Sequence, residues 1–224
     1  MDFVSVAIDG PSGAGKSTIA KAVARELGYT YVDTGAIYRT VGVYVRQKGI
    51  DPSDVEAVTA LLPEIQIEIR HGETAQRMIL NGKDVTDEIR EHIISRYASD
   101  VSAIPAVREF LLEKQRAFAR QGNVIMDGRD IGTVVLPDAT VKIFLTAKPK
   151  ARAKRRHMEL LEKGQEISYD TVFADLTARD TNDASRAVAP LKPAEDAVLA
   201  DTTELTLEES IALVRDLIET GIKR

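Results

Sequence analysis

The segment Gly10-Pro11-Ser12-Gly13-Ala14-Gly15-Lys16-Ser17 fits the pattern G-x-x-x-x-G-K-[ST]. Its glycines let the backbone curl until successive N–H groups point inward at phosphate oxygens, and the helix that follows adds the positive end of its dipole. Lys16 can reach the β and γ phosphates as a point charge, and the Ser17 hydroxyl can ligate Mg²⁺. Gly10 through Thr18 is therefore read as an ATP-binding loop. Such a loop does not by itself separate GTPases, ATPases and kinases. The chain has no N-K-x-D guanine-reading motif and no L-S-G-G-Q transporter signature, which favours a small-molecule kinase.

A second group of candidates is Asp127-Gly128-Arg129-Asp130, which follows an apolar run of strand length. A strand-terminal Asp127 is where a Mg²⁺ ligand acting through water belongs. Arg129 and Asp130 would then project from the carboxyl ends of the strands, where open α/β sheets bind ligands. Arg152 and Arg156 are four apart on a helical segment, so they share a face and could fork onto one phosphate chain. Lys148, Lys150 and Lys154 beside them read as a solvated face. Further on, Arg179-Asp180-Thr181-Asn182-Asp183-Ala184-Ser185-Arg186 interleaves charges before Pro190. Phosphoryl transfer needs several cations around the migrating group, and these late arginines are the supply. His71, His92 and His157 show neither metal-ligand nor catalytic spacing and read as surface residues. An acceptor phosphate is already anionic near neutral pH and needs no strong base.

The elements that must position these residues can be read from apolar patterning. Phe3–Ile8, Tyr29–Asp33, Asn123–Asp127, Val141–Ala147 and Ala197–Asp201 are runs of strand length, and their continuous apolar character suits a parallel sheet covered on both faces. Helical spacing marks Lys16 to about Leu27, Gly35 to about Gln47, the set Val107, Phe110, Leu111 and Phe118, and the set Leu207, Ile211, Val214, Leu217 and Ile218. The class is α/β, doubly wound. Ile65–Arg70 instead alternates, and Arg77–Leu80 runs into Asn81-Gly82, the signature of a small antiparallel sheet with a tight turn.

Composition narrows the function classes. The 224 residues carry a net charge of -5 and no Trp, with 5% aromatic residues, which argues against a phosphate-backbone binder or a base-stacking surface for nucleic acid. The absence of Cys excludes disulfides, thiolate metal sites and cysteine nucleophiles. With no secretory leader and no stretch long enough to span a bilayer, a cytoplasmic location is expected.

Five blocks carry a resemblance: Gly10–Thr18, Asp33-Thr34-Gly35-Ala36-Ile37-Tyr38-Arg39, Ala98–Arg108, Asp127–Val134 and Arg179–Leu191. Together they resemble the bacterial cytidylate kinases across nearly the whole chain. The resemblance implies a P-loop nucleoside-kinase fold, with a five-stranded parallel sheet between helices, a monophosphate-binding insertion holding a small antiparallel sheet, and a helical lid. Residues 1–33, 106–148 and 187–224 would form the core of one kinase domain, 34–105 the monophosphate region and 149–186 the lid. It implies that Ser99, Arg108 and Asp130 read the cytosine ring and that Arg39, Arg129 and Arg186 grip the acceptor phosphate. Arg179 and Asp183 would contact the ribose, and Thr34 keeps the hydroxyl where many members have Ser. Lys16, Arg152 and Arg156 would serve the transferring phosphoryl. The implied reaction is transfer from ATP, with Mg²⁺, to CMP or dCMP. It needs only small-molecule substrates and no nucleic acid, membrane or obligate protein partner, so a monomer is expected. Alternatives are another acceptor on the same scaffold, such as UMP or shikimate, or a non-catalytic ATP-binding switch.

Overall fold

The computed structural model describes residues 3–71, 76–162 and 164–223. By contact density the chain divides into two compact units, one of residues 1–31 with 119–224 and the other of residues 32–118.

The first unit is built on the parallel sheet. Its strands β1 (Ser5–Asp9), β2 (Thr30–Asp33), β6 (Val124–Gly128), β7 (Val141–Thr146) and β8 (Val198–Asp201) lie in the order β2-β6-β1-β7-β8. The edge strand β2 carries the chain out of this unit. β1 sits at the centre, parallel to β6 through Ser5↔Val124 to Asp9↔Gly128 and to β7 through Val6↔Val141 to Asp9↔Phe144. This register brings Asp9 level with the end of β6, so the phosphate loop and the Asp127–Asp130 turn leave the sheet side by side. The strand expected from Phe3 starts two residues later. Phe3 is 52% exposed and precedes the ladder, because one apolar side chain cannot extend a strand that has no partner there.

Helices α1 (Lys16–Leu27) and α8 (Leu207–Ile222) cover the sheet, packing Ile19, Val23, Val214 and Ile218 onto Val6, Ile8, Ile143 and Leu145. Thr206 and Glu209 form a reciprocal capping box at the start of α8. Helices α6 (Pro149–Glu162) and α7 (Tyr169–Ser185) pair over a small apolar core of their own, made of Ala153, Leu160, Val172 and Leu176. Ser168 accepts from the Thr171 amide at 3.1 Å and so fixes where α7 begins.

The second unit pairs α2 (Thr34–Gln47) with α4 (His92–Val101), alongside α3 (Val55–Leu61) and α5 (Pro105–Ala119). Gly42 marks the close approach, since a Cβ there would meet the Tyr97 Cβ at 3.0 Å. The antiparallel sheet of β3 (Ile67–His71), β4 (Gln76–Leu80) and β5 (Lys83–Asp84) agrees with the alternation in the sequence. Asn81 and Gly82 take φ values of 49° and 83° between β4 and β5, as a type I′ hairpin turn requires. β5 itself was not expected, because two polar residues carry no periodic signal. Helix α5 falls with this unit up to Phe118. Helical spacing reveals an apolar face without revealing which neighbour covers it. His92 and His157 are half-buried, His157 meeting the Tyr169 ring edge-on at 6.1 Å. The side chain of His71 lies outside the described residues.

Candidate functional site

In the first unit the phosphate loop takes its shape from close backbone packing. A Cβ on Gly10 would lie 1.9 Å from the Leu145 carbonyl oxygen, and Gly15 adopts φ 88° as it opens α1. Lys16 starts the helix 6% exposed, with Nζ donating to the Pro11 carbonyl at 2.8 Å. Burial pushes this ammonium down to about 7, helped by the charge of Arg129 and opposed by Asp127, Asp9 and Asp183. The group is thus poorly solvated, with the Pro11 carbonyl as its acceptor.

Ser17 donates to the Asp127 carboxylate at 2.9 Å, and the Tyr31 hydroxyl donates to its other oxygen at 2.9 Å. A hydroxyl and a buried carboxylate brought together at the loop are the oxygen donors that suit Mg²⁺, which binds through one or two carboxylates, water and substrate phosphates. Among the described residues there is no cluster of three or more His, Cys, Asp or Glu that could hold an ion alone.

Arg129 donates Nε to Asp183 at 2.7 Å, and Arg186 meets the other oxygen of the same carboxylate. Burial works against the Arg129 charge, but Asp183 outweighs it and holds the guanidinium above its ordinary value. Burial likewise opposes the Asp183 charge, and Arg129 with Arg186 more than compensates, so its carboxyl stays below the usual range. One carboxylate therefore anchors two arginines 57 residues apart in the chain (186 minus 129). Arg179 lies half-buried on the same helix α7.

Arg152 and Arg156 share helix α6 but take different partners. Arg152 is 4% exposed and donates to the Ala147 carbonyl and the Ser12 carbonyl, both at 2.8 Å, while pairing with Asp180 at 2.7 Å. Arg156 pairs with Glu159 at 2.8 Å. The first arginine is tied to the backbone of the phosphate loop, and the second remains on its own helix. Gly13 packs against this tether, since a Cβ there would meet the Arg152 carbonyl oxygen at 3.1 Å.

The second unit holds its candidates in two groups. Asp33 caps α2 by accepting from the Ala36 amide at 2.8 Å and pairs with Arg39 at 2.8 Å, a fold-back that Gly35 permits by having no side chain. Thr34, the first helical residue, is buried between them in sequence. Elsewhere Arg108 donates to the Ser102 carbonyl at 3.1 Å, and the Ser102 hydroxyl donates to the Ser99 carbonyl at 2.8 Å. This links two residues expected to read one base. The Arg108 guanidinium also stands over the Tyr38 ring, 5.5 Å from its centroid.

The family whose sequence model matches residues 6–220 is described as cytidylate kinase. The chain belongs to the cytidylate kinase family. It is 50% identical to a cytidylate kinase of Caldicellulosiruptor saccharolyticus over 97% of this chain and 96% of that one. It is 49% identical to the cytidylate kinase of Carboxydothermus hydrogenoformans over 95% and 96% of the two chains. Among solved structures, an uncharacterized protein from Eubacterium ventriosum shares the fold alone, with a TM-score of 0.51 and 13% identity over 97% of this chain and 98% of that one.

Three participants escaped the sequence reading. Tyr31 and Tyr38 are single aromatics in otherwise ordinary elements, with no pattern to mark them. Asp9 did carry a signal, a charge ending an apolar strand directly before the loop. It is 5% exposed and accepts from the Ile131 and Gly132 amides, each at 2.8 Å. Burial pushes its carboxyl up to about 6, against the lowering effect of those two amides.

Proposed function

We infer that this chain transfers the γ-phosphoryl group of ATP to CMP, and to dCMP, giving the nucleoside diphosphate and ADP. The observation that carries the reading is the pair Arg129 and Arg186 converging on Asp183, in the same unit as a phosphate loop with a buried Lys16. A switch that only holds ATP has no use for a second, pre-positioned cationic grip.

In this reading Lys16 leaves the Pro11 carbonyl for the phosphates and neutralises charge as the bond to the γ phosphorus breaks. Arg129 and Arg186, with Arg39, hold the acceptor phosphate so that one of its oxygens attacks in line. Asp183 orients the two arginines, and with Arg179 it serves the ribose. Mg²⁺, when bound, would supply further charge neutralisation at the phosphates, with Ser17 and, through water, Asp127 as its protein donors. Arg152 and Arg156 act on the donor side, Arg152 through the Ser12 carbonyl it already holds. Thr34, Ser99, Arg108 and Asp130 select the acceptor. Cytosine offers an amino donor and two ring acceptors, which a carboxylate and a guanidinium complement, whereas uracil presents an oxygen and an N–H in their place. The enzyme works as a monomer in the cytoplasm.

Steady-state kinetics with CMP, dCMP, UMP and AMP tests this directly. CMP and dCMP should lead UMP by orders of magnitude, because a buried polar pair rejects the wrong polarity by roughly 10⁴-fold. Asp130→Asn should lower kcat/KM for CMP sharply and for UMP far less. An equal fall for both would remove Asp130 from base reading, and no turnover of any monophosphate would remove the kinase reading itself.

A further inference from the structure

The Asp9 carboxylate closes a two-point clamp on the turn that carries Asp130. Its Oδ1 accepts from the Ile131 amide and its Oδ2 from the Gly132 amide, both at 2.8 Å and both buried. These are the two amides that directly follow Asp130 in the chain. Asp130 itself adopts φ −145° and ψ 27°, outside both the helical and the extended regions, as the chain enters a π-type turn over Ile131–Val135. A backbone in such a region persists only when its surroundings over-determine it. The surroundings here are specific. A Cβ on Gly132 would meet the Lys142 Cδ at 3.1 Å and the Ala7 Cβ at 3.5 Å, so the turn lies flat on β1 and β7, within reach of Asp9.

We propose that Asp9 is a specificity-positioning residue: by fixing both amides after Asp130, it sets the direction of the Asp130 carboxylate and thereby the choice of base. Asp9 does not touch the substrate in this scheme. A carboxylate offers two acceptor oxygens aligned with two N–H donors, and the charge strengthens both bonds. An amide in the same place offers one acceptor and one donor, and the donor would face an N–H. Burial drives the Asp9 carboxyl up to about 6, while the two amides oppose the rise. The proposal rests on the assignment of Asp130 to base reading.

The experiment compares kcat/KM for CMP and for UMP in the wild type, Asp9→Asn, Asp130→Asn and the double variant. Asp9→Asn should contract the CMP-over-UMP preference by about tenfold, the scale of one lost hydrogen bond to a charged group. In the double variant it should add almost nothing to the contraction already caused by Asp130→Asn, because one acts through the other. KM for ATP should move far less than the preference; a fall confined to ATP would mean that Asp9 serves Lys16 and would overturn the proposal. Contraction with Asp130→Asn but not with Asp9→Asn overturns it alone. No contraction with Asp130→Asn overturns the base-reading assignment and this proposal together. Should Asp9→Asn fail to fold, Asp9→Ser, which keeps one acceptor oxygen, carries the same comparison. In the wild type the Ile131 and Gly132 amide protons should be among the slowest to exchange; rapid exchange at both would also sink the clamp.

Discussion

Lys16 is costly to the fold, and the proposed reaction needs it. Its folded pKa of about 7 lies below the ordinary 10.5, so ordering the loop around an ammonium is unfavourable at every pH under that ordinary value, and the penalty is fully in force below about 7. Lys16→Met should therefore cut kcat by at least about a hundredfold, the scale of one lost electrostatic stabiliser. The same variant should melt a few degrees above the wild type at pH 6, with a smaller gain at pH 9. A variant that is folded and retains most of its kcat would remove Lys16 from the chemistry, and one that melts lower at pH 6 would contradict the burial argument. Asp183 is the opposite case. Asp183→Ala removes the carboxylate that the half-buried Arg129 and Arg186 share, a loss of about 3 kcal/mol. Its carboxyl is held below the ordinary range, so its stabilisation is present above roughly pH 4 and fades as pH falls further. Urea unfolding of both proteins at pH 7 and pH 3.5 should show the gap shrink; a gap independent of pH would mean that packing, not charge, is at stake.

At the scale of elements, α6 and α7 form a hairpin with its own apolar core, tied to the phosphate loop through Arg152. A hairpin built this way can respond as a body while its base stays fixed. Hydrogen exchange across residues 148–186 should slow more with a bisubstrate analogue than with ATP or CMP alone, and equal protection by ATP alone would count against a lid. Arg152 and Arg156 should also separate in kinetics. Arg152→Ala removes the donor to the Ser12 carbonyl, so it should raise KM for ATP about tenfold or more, the worth of one buried charge-assisted bond, and speed amide exchange in residues 10–18. Arg156→Ala should act mainly on kcat. If Arg152→Ala leaves exchange in the loop untouched, the tether has no role in shaping it.

For the whole molecule, a net charge of -5 coexists with locally gathered cations. Basic side chains are held by acidic ones at defined positions, Arg129 and Arg186 on Asp183, Arg39 on Asp33 and Arg152 on Asp180. Small, doubly charged phosphates can exchange with such partners, whereas a polyanionic strand meets a repulsive field. Oligonucleotides should therefore fail to inhibit CMP phosphorylation at low salt; potent inhibition relieved by salt would mean a nucleic-acid surface. No helix among the described residues is long and apolar enough to cross a membrane. Sedimentation should give a single species of monomer mass, and a stable dimer would correct the expectation.

The sequence by itself determined the phosphate loop, the α/β class and the antiparallel insertion. Each rests on a local signal: glycine spacing sets the curl of a loop, apolar runs and alternation set the element type, and Asn81-Gly82 sets a turn. Tertiary structure alone decided how those residues are held. That Arg129 and Arg186 share Asp183, that Arg152 reaches back to Ser12, and that Asp9 clamps the amides after Asp130 are contacts between segments far apart in the chain. Residue types announce that a charge needs a partner, because an unpaired buried charge is too costly to survive. Which partner it takes depends on strand order and helix packing, and those appear only once the chain has folded.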